Sequence, residues 1–123
     1  MDREFKFRGW DKLGGMKYFD FSDLVGRYVT IYHGVYDVPI MQFIGLEDCD
    51  GRDIYEGDLV SSGAHTIYRV DWLQSHAQYF FKVLKTENVL SKELRFPVWQ
   101  YAVDGKCAVE VIGNIYESPD LLK

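Results

Sequence analysis

Nowhere does this 123-residue chain hold an apolar run near the roughly 20 residues that a bilayer span needs, and Met1 is followed by Asp2, Arg3 and Glu4 rather than by a secretory leader. The expectation is a soluble protein of the cytoplasm that engages no membrane. Cysteine is scarce. Cys49 and Cys107 are the two in the chain, and without a leader to carry them to an oxidising compartment they are read as free thiols. Excess positive charge is missing too, since the formal net charge is −5. That balance counts against wrapping a nucleic-acid backbone, where neutralising phosphates supplies most of the affinity.

Chemical motifs are absent as well. There is no G-x-S-x-G elbow around a serine, no glycine-rich phosphate loop, and no local catalytic signature at either cysteine. His33, His65 and His76 have no metal-ligand spacing with one another or with the cysteines. A calcium loop starting at Asp48 would need glycine where Asp53 stands and glutamate where Leu59 stands. Glu56 and Asp58 flank Gly57 and so form a carboxylate pair, but any acidic turn offers the same. The chain is therefore read as non-catalytic, with no catalytic residue, cofactor, metal or small-molecule substrate assigned.

What is present is aromatic and alternating. Aromatic residues make up 16% of the chain, and they alternate with polar groups in short runs, the pattern of half-buried strands. The length suits one domain, residues 1–123, with one core. The fold class expected is mainly β, with β-hairpins and few short helical turns.

Glu4 to Trp10 and Met16 to Phe21 alternate across Asp11 to Gly15, which predicts an N-terminal hairpin. Phe21-Ser22-Asp23-Leu24 reads as a helical turn, Arg27 to Tyr32 as a strand, and Val35 to Pro39 as an edge or connection. Ala64 to Trp72 is a strand with Thr66, Tyr68, Val70 and Trp72 on one face. Tyr79 to Leu84 is apolar at both parities, as in a strand covered on both sides, and Lys85 to Arg95 carries the spacing of a short helix. Val98 to Val103 and Lys106 to Ile112 flank Asp104-Gly105. Side-chain segregation there favours a three-residue loop that pairs Tyr101 with Cys107 and Trp99 with Val109. Ser118-Pro119-Asp120 reads as the start of a last short turn over Asp120 to Lys123.

The stretch from Met41 to Val60, MQFIGLEDCDGRDIYEGDLV, organises the rest. Ile40 to Ile44 is a strand that Gly45 is expected to end, Asp50-Gly51 is a turn, and Glu56-Gly57-Asp58 is another, with Ile54-Tyr55 buried between them. A small echo, Ile115-Tyr116-Glu117, predicts that Tyr116 is buried like Tyr55. From Leu46 to Asp58 six acids (Glu47, Asp48, Asp50, Asp53, Glu56 and Asp58) face one base, Arg52. Their net of −5 equals that of the whole chain, so the remaining acids and bases cancel. The basic complement is the first hairpin, where Arg3, Lys6 and Arg8 lie on one strand and the span Arg3 to Lys17 nets +3.

The same central stretch resembles the signature of the YopX-like family of phage and prophage proteins, M-Q-[YF]-x-G-L-x-D-x-x-G-x-x-I-Y-E-G-D-[IL]-V. Arg3 to Asp11 (REFKFRGWD) resembles the family's opening, and Val111 to Leu122 (VIGNIYESPDLL) its closing. The resemblance implies a small, mainly β protein with an SH3-like, partly open barrel, in the cytoplasm of a bacterial host, and it brings no established activity. The function expected is that of a phage- or prophage-encoded accessory protein acting by protein contact. Its contact surface would be Glu47, Asp48, Asp50, Asp53, Glu56 and Asp58 with Arg3, Lys6 and Arg8, joining a second copy of the chain as a homo-oligomer or engaging a host protein. The alternative is a nucleic-acid-binding module using the basic strand, which the net charge disfavours.

Overall fold

The computed structural model describes residues 4–20, 39–63, 65–86 and 94–122. The helical turn expected at 21–24, the strand at 27–32, the connection up to residue 38, most of the helix expected over 85–95, and Arg3 lie outside the described residues. The described residues form a mainly β structure of eleven strands in two open sheets, with two 3-10 turns and no α-helix, and no barrel is identified among them. No helix among them is long and apolar enough to cross a membrane.

The first hairpin forms as its alternation predicts. Strands β1 (Lys6–Asp11) and β2 (Gly15–Asp20) pair antiparallel around a three-residue loop, and Gly15 takes a φ of 84° where they meet. β1 also pairs antiparallel with β3 (Ile40–Glu47), against which β4 (Asp53–Tyr55) folds back. Here the sequence expectation needs correcting, because Gly45 does not end the strand. It sits at φ 95° inside β3, and the register with β4 shifts between Phe43 and Glu47. The residue chosen for its freedom at positive φ supports a bulge that bends a continuing strand, a second use of the same property.

β5 (Asp58–Ser61), β6 (Ile67–Leu73), β7 (Gln78–Lys85) and β8 (Arg95–Pro97) form an antiparallel meander, and β11 (Glu110–Asn114) pairs on the other side of β5. Both Phe80 and Phe81 of β7 are buried, as expected of a strand apolar at both parities. One apolar cluster draws on both sheets. Ile54 and Cys107 come from the first, Val60, Tyr68, Val70, Phe81 and Val83 from the second, and Val98 and Val109 from the connections. Trp72, on the face of Tyr68 and Val70, lies beyond this cluster near the β6–β7 turn, where it meets Tyr79 edge to face and remains exposed.

The C-terminal hairpin departs from its expected register. β9 (Ala102–Val103) pairs with β10 (Lys106–Cys107) so that Val103 faces Lys106 directly and Cys107 faces Ala102 rather than Tyr101. The loop is therefore the two-residue Asp104-Gly105 turn, with both residues at positive φ (52° and 81°), whose twist matches that of the flanking strands. Segregation of side chains does not oppose this register, because Val98–Tyr101 is a 3-10 turn following Pro97 rather than a strand. Trp99 leaves the expected apolar face and is exposed, while Tyr101 stays against Phe81 and Phe96.

The last turn is Pro119–Leu122, one residue earlier than expected. Asn114 prepares it by accepting the amides of Tyr116 and Glu117 on Oδ1 and that of Ser118 on its carbonyl. This turn packs over Gly113: a methyl group there would stand 2.6 Å from Cβ of Ser118 and press against its Oγ. Gly113→Ala is expected to cost about 1 to 3 kcal/mol in urea unfolding, since the neighbour is close to the backbone and must move. A loss under about 0.5 kcal/mol would show that the turn is not held against β11.

Candidate contact surface

The acidic stretch is not uniformly solvated. Asp48 is 0% exposed and Asp58 2%, Glu47, Asp53 and Glu56 are half-buried, and only Asp50 of the six is exposed. Asp48 organises its turn. Its Oδ1 accepts the amides of Asp50 (2.9 Å) and Arg52 (2.8 Å), and its Oδ2 accepts that of Val111 (2.9 Å), which ties the turn to β11. Burial works against its charge, but the three amides outweigh that and hold its carboxyl below the ordinary value. The turn chemistry expected of Asp50 is thus supplied two residues earlier.

Asp58 does the same for the second turn, accepting the Tyr55 amide on Oδ2 (2.8 Å) while its Oδ1 receives Nη2 of Arg8 (2.8 Å). Arg8 is 3% exposed. Its Nη2 also donates to the carbonyl of Glu56 (3.0 Å), and its guanidinium lies over the Tyr55 ring at 4.9 Å. Burial pushes Asp58 up to about 6 even with Arg8 beside it. Burial also raises Glu56, whose Oε1 accepts the Gln42 amide. Lys6 bonds Asp53 at 2.6 Å, which raises its pKa, and lies over Phe43 at 4.4 Å.

The basic strand and the acidic stretch therefore meet, but inside one chain. Lys6 and Arg8 are the expected partners of a neighbouring subunit's carboxylates, and they neutralise Asp53 and Asp58 of their own chain across 47 residues or more. The hairpin reaches the turns because β1 pairs with β3, an adjacency that local pattern does not encode. Tyr55, between these charges, is buried, whereas Tyr116 is half-buried and stacks on Trp10 at 5.8 Å.

No three His, Cys, Asp or Glu side chains gather as a metal-binding group among the described residues. His65 and His76 are exposed in the turns flanking β6. Both cysteines are free thiols, Cys49 exposed and Cys107 buried, and burial pushes the Cys107 thiol up to about 11.

Three exposed apolar side chains close in sequence were not expected. Within residues 94–103, Leu94 is 45% exposed, Trp99 64% and Val103 72%. Alternation over Val98 to Val103 assigned Trp99 to the buried face. The signal against that assignment was Pro97, which cannot donate to a ladder and opens the 3-10 turn.

The family model described as YopX protein matches residues 16–123, covering the central and closing signatures with all the strands from β3 onward. The chain belongs to the YopX family. Among curated proteins none matches it. A solved structure, that of protein EF1440 from Enterococcus faecalis, is 20% identical, with a TM-score of 0.56 and coverage of 97% of this chain and 98% of that chain. That likeness is one of fold. In this YopX-family chain the signature residues Asp48, Tyr55, Glu56, Gly57 and Asp58 are the ones that build the two turns and seat Arg8.

Proposed function

We propose that this YopX-family protein is a phage- or prophage-encoded, non-catalytic accessory protein of the bacterial cytoplasm that acts by protein contact. One observation carries the reading: Leu94, Trp99 and Val103 expose large apolar side chains within ten residues. An exposed tryptophan is the kind of anchor found at interface centres, where a few such side chains supply most of the binding energy. The SH3-like element belongs to the same reading, with the β5 to β8 meander as the unit that would form it. Contact through the acidic stretch, with a second copy or a host protein, has Asp50 and the half-buried carboxylates to work with.

Nucleic-acid binding is the weaker reading, because Lys6 and Arg8 are engaged by Asp53 and Asp58. Trp99→Ala is expected to change stability by less than about 1 kcal/mol, its side chain being largely in water, yet to abolish recovery of a host protein by the immobilised chain at low and moderate salt. Equal recovery by wild type and variant overturns the contact surface, and salt-sensitive recovery of nucleic acid instead of protein favours the second reading. Light scattering on the wild type at both salts reads self-association directly.

A further inference from the structure

The second sheet carries a basic row that local sequence pattern does not show, because its members come from three strands. Register sets Arg69 of β6 opposite Lys82 of β7, and Lys82 opposite Arg95 of β8. Directly opposed residues share one face of a sheet, so three bases stand side by side across about 10 Å, two strand spacings. Lys85, opposite Ile67, is on the same face. The other face is the core side, where Tyr68, Val70, Phe81, Val83 and Phe96 join or pack against the apolar cluster.

The row is only partly neutralised. Among the described residues of β6 to β8, Asp71 is the one acid on this face, and it is committed to Arg69, whose Nε and Nη2 donate to its two oxygens at 2.6 and 2.8 Å. Glu110 shares the face but stands at the far edge of the sheet, on β11. Lys82 and Arg95 make no salt bridge among the described residues, and Arg95 is exposed. Like charges set directly opposite one another cost stability, and an anionic partner would relieve that cost.

The size of the patch decides between partners. Proteins that hold a nucleic-acid backbone commit on the order of six to ten bases to its phosphates. This face offers four, one of them already held by Asp71. We infer that it docks an acidic segment of a protein partner, with carboxylates received by Lys82 and Arg95, and with Arg69 at the inner end of the row. The inference names a partner chemistry for the contact reading and rests on that reading, but not on Trp99.

Hexaglutamate is the probe, with hexathymidylate as the competing polyanion, each titrated into the full ¹⁵N-labelled protein by NMR at low and moderate salt. Hexaglutamate is expected to shift the amides of Lys82, Arg95 and their strand neighbours, and to bind more tightly than hexathymidylate. Arg95→Glu should weaken it about fivefold at low salt, as reversing one exposed charge would. Lys12→Glu makes the same change of net charge at the loop of the first hairpin and should leave the affinity within about twofold. Lys12 and Arg95 are both exposed, so each variant should keep the wild-type spectrum away from its substitution. No shift at millimolar hexaglutamate, shifts centred on other strands, equal affinities in the two variants, or tighter binding of hexathymidylate would each overturn the inference. Trp99→Ala should bind hexaglutamate as the wild type does, so failure of the apolar contact and failure of the basic face are read separately.

Discussion

Replacing Asp48 with alanine is expected to lower the unfolding free energy by about 3 to 5 kcal/mol, because it removes charge-assisted acceptors from three backbone amides at once. Two of those amides, on Asp50 and Arg52, close the turn, and the third, on Val111, belongs to β11. Water can reach the exposed turn more readily than the half-buried strand, so the Val111 bond should account for much of the loss. Asp48→Asn separates the contributions. Its one oxygen can still take the two turn amides, but its NH2 group then faces the Val111 amide, donor against donor, for an expected cost of about 1 to 3 kcal/mol. Urea midpoints at constant slope measure both. A loss below about 1 kcal/mol for the alanine variant would mean the turn and β11 are held by other contacts. The acid dependence has a definite sign. Asp48 is depressed by folding, so its contribution is complete above the ordinary carboxylate value and is lost as pH falls below it.

Arg8→Met is expected to cost about 3 to 5 kcal/mol at neutral pH, because it strands the Asp58 charge in the interior. The loss should shrink near pH 5, where Asp58 can take up a proton, and Arg8→Met combined with Asp58→Asn should recover most of it by removing both charges while keeping an acceptor for the Tyr55 amide. In the wild type, Asp58 rises from 3.8 unfolded to about 6 folded, so between these values the native state holds the extra proton. Its contribution to stability therefore falls as pH rises through that window, by about 3 kcal/mol in all. Glu56, also raised, acts in the same direction. Asp58→Asn should flatten the difference between pH 4.5 and 7.5. A wild type more stable at 7.5 by the same margin as the variant would show that Asp58 is not the titrating group.

These two carboxylates mark where sequence reasoning succeeded and where it stopped. The turns at Asp50-Gly51 and Glu56-Gly57-Asp58, the buried pair Ile54-Tyr55, the first hairpin and the β6 and β7 strands were legible because each rests on turn chemistry or alternation within about ten residues. The six acids were legible as a cluster, but not which of them would be withdrawn from water. That depends on Arg8, fifty positions from Asp58, and on Val111, sixty-three from Asp48. Trp99 failed for a related reason. A strand face was inferred for residues that form a 3-10 turn after Pro97, and one wrong backbone state exposes a side chain that alternation buries.

By itself, the sequence determined the mainly β character, the positions of most strands, the two free thiols and the family, all of which follow from residue type and short-range spacing. Only the tertiary structure decided that the acidic stretch and the basic strand neutralise each other within one chain, that Gly45 bends β3 instead of ending it, and that the last hairpin turns on Asp104-Gly105 alone. The physical reason is that pairing partners such as β1 with β3, and β5 with β11, are chosen by how the whole core closes, and a buried charge is stable only where that closure brings its partner.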